Sequence, residues 1–109
     1  MYSSRSIGVA IGMRIIAKKR LRDFWQKHAD SEQALKSWHI IAVKSDWATP
    51  QDVKKHFPKA SIIGDNRVVF DIVGGSYRLV VKFNYAYRIG YIRFIGTHKE
   101  YDDTHLERI

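Results

Sequence analysis

The hydrophobic positions of this chain follow two different periods, and the change falls near residue 61. Before it, apolar residues recur at helical spacing. Leu21, Phe24, Trp25 and His28 form one stripe at i, i+3, i+4 and i+7, which predicts a helix over 18–29. Lys18, Lys19, Arg20, Arg22 and Lys27 fall largely off that stripe and read as its solvated face, with His28 as a helix-end residue. Asp30 followed by Gln33 resembles a capping box, whose side chains satisfy orphan amides at a helix start. It predicts a second helix over 31–45, with Leu35, Trp38, Ile41 and Ala42 on one side. A break this short between two helices implies an antiparallel helical hairpin. Thr49 then reads as a cap and Pro50 as the first residue of a short third helix, stopped at Phe57–Pro58. Ahead of the helices, MRIIA at 13–17 reads as a short strand. Residues 1–12 are Ser/Gly-rich and weakly apolar. They are expected to be an extension, disordered or non-native, that leaves 13–109 as a single domain.

After residue 61 the period is two. Strands are predicted at Asn66–Ile72, Ser76–Asn84 and Gly90–Thr97, with a tight turn at Gly74–Gly75 and a second short connection at Tyr85–Arg88. These elements predict an α+β fold of two layers. It is an antiparallel three-stranded meander plus an N-terminal strand, with the helical hairpin and the short third helix packed on one sheet face. Alternation separates the two faces. Val68, Phe70, Ile72, Tyr77, Leu79, Val81, Phe83, Ile92 and Phe94 form an apolar set for the helices to cover. Arg67, Val69, Asp71, Arg78, Val80, Lys82, Tyr91, Arg93, Ile95 and Thr97 form the other.

Charge gives the second face its meaning. The 109 residues carry 19 Lys and Arg against 11 Asp and Glu, a formal +8 that favours a polyanionic partner, nucleic acid first. Arg67, Arg78, Lys82 and Arg93 share one face with Asp71 as the only acid, although like charges on neighbouring strands destabilise each other. A phosphate backbone held by Arg forks offsets that cost. No amphipathic stretch is clean enough for a membrane surface, and no apolar run approaches the roughly 18 residues of a membrane helix. The chain has no cysteine, which excludes disulfides and thiolate metal sites and fits a cytoplasmic protein.

The stretch YIRFIGTHKEYD at 91–102 begins as a strand and ends by crowding His98, Lys99, Glu100 and Tyr101 together. An acid–base side chain, a cation and a phenol beside a basic face suit chemistry on a phosphate. In a regular strand His98 is out of phase with Arg93. A bulge or bend at Gly96 is expected to turn His98 and Tyr101 towards the basic face. The five histidines show no zinc spacing, the glycines form no phosphate-cradling loop, and no serine-hydrolase motif is present. General acid–base chemistry on a phosphodiester without a metal is what these residues best suit.

NRVVFDIVGGSYRLVVKFNY followed by YIRFIGTHKEYD resembles the HigB group of bacterial toxins within the RelE-like family. The likeness extends to MRIIAKKRL and the second helix with its Trp38, and covers residues 13 to about 103. It implies a RelE-like fold and an mRNA interferase of a type II toxin–antitoxin system, an endoribonuclease that cuts transcripts on the ribosome and so inhibits translation. It also implies a HigA-type helix-turn-helix antitoxin as partner, operator DNA bound only through that antitoxin, and neither metal nor organic cofactor. Cleavage would proceed by attack of a ribose 2′-hydroxyl on the adjacent phosphate. On this resemblance His98 is the general acid or base and Tyr101 orients it or shares the proton. Arg78 and Arg93 neutralise the pentacoordinate phosphate, and Arg67, Lys82 and Lys99 bind flanking phosphates. The alternatives are a non-catalytic RNA- or ribosome-binding module using the same face, and an interaction domain for an acidic protein.

Overall fold

The computed structural model describes residues 12–105 and 108–109. Strand β1 (Arg14–Ile16) leads into helix α1 (Lys18–Lys27), a 3-10 turn (Ala29–Ser31), α2 (Glu32–Lys44) and α3 (Pro50–His56). Strands β2 (Ser61–Ile63), β3 (Arg67–Ile72), β4 (Tyr77–Asn84) and β5 (Ile89–Thr97) follow, and α4 (His98–Asp102) comes last. The predicted α+β class holds: the strands form one mixed sheet in the order β1-β5-β4-β3-β2. The meander is antiparallel, and β1 lies parallel to β5, with Arg14 opposite Ile89 and Ile16 opposite Tyr91. Of the extension expected at 1–12, residues 1–11 lie outside the described residues. Gly12 is described and is buried with φ +109°, where a Cβ would stand 1.8 Å from the Val43 carbonyl oxygen.

Leu21 of α1, Leu35, Trp38 and Ala42 of α2, and Val53 of α3 are buried against Val68, Phe70, Leu79, Val81 and Phe83 of the sheet. Aromatic edges interlock there: Trp38 meets Phe70 at 5.3 Å, and Trp47 meets Phe83 at 5.7 Å. Each such side chain contributes about 1.5–3 kcal/mol on burial. The start of α3 is as predicted, with Thr49 and Asp52 completing a capping box and Pro50 in the first turn. The start of α2 is not. Asp30 makes no cap; its carboxylate accepts the Tyr77 hydroxyl at 2.6 Å, which ties the helical connection to β4. His28 ends α1 as expected, stacked on Phe24 at 4.3 Å.

Three features escaped the periodicity. Strand β2 pairs with β3 at Ser61–Val69 and Ile63–Arg67, and three residues are too few to show alternation. Its turn uses Asp65 (φ 62°) and Asn66 (φ 58°), two residue types that tolerate the left-handed region. Helix α4 occupies the polar tail of 91–102, capped by Thr97 and Glu100 in a second capping box. The third is a bulge in β5. Val81 pairs with Ile92 but Val80 with Phe94, so Arg93 is the extra residue. At that point Arg20 leaves its solvated face and donates from Nη1 to the Ile92 carbonyl at 2.8 Å.

The bulge inverts the parity of the rest of β5. Phe94, expected under the helices, stands opposite Val80 on the helix-free face. Ile95 and Thr97, expected on that face, pair with Leu79 and Tyr77 and belong to the helix side. The phase correction anticipated at Gly96 therefore occurs at Arg93 instead.

Candidate nucleic-acid interface

The helix-free face has an apolar floor and a basic rim. Val69 and Val80 are buried yet lie outside the main core. Pairing then sorts the polar groups into two ends. Towards the start of β5, Arg67 is opposite Lys82 and Lys82 opposite Tyr91, and exposed Arg93 stands beside them. Towards the start of β4, Asp71 is opposite Arg78 and Arg78 opposite Gly96. Arg78 and Lys82 are four residues apart on one strand, about 13 Å. The expected quartet of cations thus shares a face but not a single point.

Each cation has a distinct setting. Lys82 Nζ is 2.9 Å from Asp65 Oδ2, and Arg67 Nε donates to the Gly64 carbonyl at 2.8 Å. The hydrogen bond from Lys82, with the charges of Lys82, Arg67 and Arg93, holds the Asp65 carboxyl below its ordinary range. Asp65 is thus a second acid at this face, one that strand parity alone does not reveal because it sits in a turn. Arg78 is less exposed than Lys82: Nε lies 3.3 Å from Asp71 Oδ1, and Nη1 donates to the Gly75 carbonyl. Its guanidinium therefore clamps the β3–β4 turn, where Val73, Gly74 and Gly75 all have positive φ. At Gly75, φ is +94°, and a Cβ would come 3.2 Å from Arg78 Nη1.

The remaining candidates ride on α4. Tyr101 is half-buried with its ring 6.1 Å from Phe94. Phe94 in turn lies over Gly96, where a Cβ would meet its ring at 2.7 Å. Gly96 is therefore the gap that lets Phe94 carry Tyr101 to the sheet end occupied by Arg78. His98 is exposed at the first turn, its Nε2 3.3 Å from Asp102 Oδ2, and Lys99 Nζ is 3.3 Å from Asp103 Oδ2. Lys99 is carried by the helix, not by the sheet face. The Glu100 carboxyl is held below its ordinary range, chiefly by the Thr97 amide, so it serves the cap. Among the described residues no three His, Asp or Glu side chains come together as a metal site.

Beside the first basic group lies a depression of about 570 Å³ whose walls include Asn66, Lys82, Asn84, Tyr91 and Arg93. Tyr91 exposes 37% of its surface at the end of the cross-strand row Arg67–Lys82–Tyr91, and Lys82 and Arg93 line the depression with it. Strand parity had placed it on this face without giving it a role. An exposed aromatic among cations is the arrangement that takes a single-stranded nucleic acid, bases on the ring and phosphates on the rim.

A family model described as HigB toxin, the RelE-like toxic component of a toxin–antitoxin system, matches residues 31–104. The chain belongs to the HigB toxin family. The matched span runs from the 3-10 turn to just past α4 and holds every candidate residue above. The mRNA interferase HigB of Escherichia coli O6:H1 is 25% identical over 92 residues, 83% of this chain and 89% of that protein. The mRNA interferase toxin HigB of Escherichia coli K12 and the mRNA interferase HigB of Shigella flexneri are each 29% identical over 92 residues. Those alignments span 83% of this chain and 88% of each relative. No helix among the described residues is long and apolar enough to cross a membrane.

Proposed function

We propose that this HigB family member is a metal-independent endoribonuclease that cleaves mRNA on the ribosome and thereby stops translation. The observation that carries the reading is the row Arg67–Lys82–Tyr91 across three strands of the helix-free face, with Arg93 lining the same depression as Lys82 and the exposed Tyr91 ring. Arg93 and Arg78 neutralise the phosphate as negative charge grows on it, and Arg67, Lys82 and Lys99 hold the flanking phosphates. A ribose 2′-oxygen attacks the adjacent phosphorus while the bond to the 5′-oxygen breaks. The 2′-proton passes to a base and the leaving 5′-oxygen takes one from an acid. His98 supplies one of these transfers, with Tyr101 orienting it or sharing the proton. The products are a 2′,3′-cyclic phosphate and a 5′-hydroxyl. The partner is a HigA-type helix-turn-helix antitoxin, through which alone the complex meets operator DNA.

Induced expression with and without a neighbouring antitoxin gene tests this, with growth and transcript ends as readouts. Growth arrest and new 5′-hydroxyl ends are expected without the antitoxin; normal growth with intact transcripts overturns the reading. Arg93→Ala is expected to slow cleavage on the order of a hundredfold. His98→Ala abolishes cleavage with RNA binding retained, whereas a non-catalytic binding module has no cleavage to lose.

A further inference from the structure

The helical layer carries a second basic surface, on α1 and α2 and away from the helix-free face. Lys18 and Arg22, one turn apart on α1, line a groove of about 300 Å³ with Trp25, Lys36, His39 and Ile40. None of these side chains is acidic. Glu32 takes Lys36 at 2.5 Å, and Asp23 pairs with Lys19, which does not line the groove. Among the described residues no carboxylate comes within ion-pair distance of Lys18 or Arg22. The positive potential is felt at His39, whose imidazole is held below its ordinary value by burial and then by the Lys18 charge. Ile40 is 51% exposed and gives the same groove an uncovered aliphatic wall. The Trp25 ring already carries Lys36 Nζ, 5.4 Å from its centroid.

We propose that this groove docks an acidic segment of the antitoxin, one that carries carboxylates beside an apolar side chain. Like charges at i, i+4 oppose a helix, and a partner's carboxylates between Lys18 and Arg22 offset that repulsion. The apolar side chain covers Ile40, so that the contact has a dry centre and a charged edge. From Lys18 to Trp25 the groove runs about 10 Å along α1, which matches about two turns of a docked helix. A nucleic acid suits it less well: it has no use for Ile40, and the indole on which a base would stack is shared with Lys36. The HigB family is the toxic half of a toxin–antitoxin system, which supplies a protein made to bind this chain. The inference rests on the antitoxin partner named above and adds the surface that this partner grips.

The test titrates the full chain with two probes, the purified product of the neighbouring antitoxin gene and a 2′-O-methyl uridine heptamer, which binds but cannot be cleaved. Salt is kept at ~0.15 M, where charges more than ~8 Å apart are largely screened from each other. Arg22→Glu and Ile40→Glu are each expected to weaken antitoxin binding by roughly tenfold or more. Both leave heptamer affinity within about twofold, since the heptamer lies on the other layer. Lys82→Glu is expected to do the reverse, weakening the heptamer and sparing the antitoxin. Arg22 and Ile40 are exposed, and unchanged circular dichroism and heptamer binding establish that their variants are folded. Antitoxin affinity that neither groove variant moves overturns the docking site and leaves the antitoxin partner standing. Loss of heptamer binding as large as loss of antitoxin binding makes the groove a nucleic-acid surface and overturns the proposal. A wild-type chain that does not bind the antitoxin overturns the partner and the groove together, whatever the heptamer does.

Discussion

Tyr85 shows how a single group can be misfitted to its place and still reveal the local physics. Its ring stacks on Phe83 at 5.3 Å, and its hydroxyl is buried without a hydrogen-bond partner. Burial, helped by the charge of Asp52, pushes the phenol up to about 12. The folded chain therefore keeps a proton that the unfolded chain releases near the ordinary value of about 10. Stability from this residue is intact below pH ~10 and falls as pH rises from there to about 12. Tyr85→Phe is expected to be neutral or stabilising by about 1 kcal/mol in urea unfolding at pH 7, since an unpaired buried hydroxyl is lost. It is also expected to flatten the alkaline loss. A clear destabilisation at neutral pH would show that the hydroxyl has a partner after all. Residue order alone does not reveal this, because a tyrosine in a turn-forming stretch reads as a solvated residue. The cations were easier. Arg67, Arg78, Lys82 and Arg93 share a face as alternation implies, but the acid that holds Lys82 comes from a turn.

Elements were legible in proportion to their length. The stripes of α1 and α2 span several turns and identify their buried sides, and the Thr49–Pro50 start marks α3. Strand β2 and helix α4 have three and five residues and leave no periodic trace. For α4 a non-periodic trace did exist: Thr97-His98-Lys99-Glu100 is a capping box written in sequence. Thr97→Ala is expected to cost about 1 kcal/mol in thermal or urea unfolding. It should lower RNA cleavage more than RNA binding, because the α4 residues His98 and Tyr101 lose their mount while the sheet cations keep theirs. Equal loss of both would mean that Lys99, the α4 cation, carries as much of the binding as the sheet cations do. The bulge was illegible for another reason. Alternation on either side of Arg93 looks regular, and only pairing with β4 shows the offset. Deleting Arg93 would return Phe94 and Ile95 to the faces that unbroken alternation assigns them. A fall in thermal midpoint larger than that of Arg93→Ala is expected, since the deletion buries the wrong side chains as well as removing a charge.

At the scale of the molecule, the formal +8 is distributed with a purpose that totals cannot show. Asp71 and Asp65 hold Arg78 and Lys82, so part of the charge on the face organises the face itself. If Arg67, Lys82 and Arg93 each meet one phosphate of a single strand, log K against log salt has a slope of about −2. Arg93→Ala is expected to make that slope shallower by about 0.7. Absence of RNA affinity, and with it of any slope to measure, would instead point to an acidic protein as the partner of this side.

The order β1-β5-β4-β3-β2 gives the last-made strand an inner place in the sheet. Among the described residues the earliest strand pairs only with that late arrival, and Arg93 and helix α4 come with it. A nascent chain that has not yet reached residue 89 can therefore neither close its sheet nor display a working face. If the proposed site is the working one, competence to harm is expected only after β5 and α4 are made, and a chain cut short before them is expected to be innocuous.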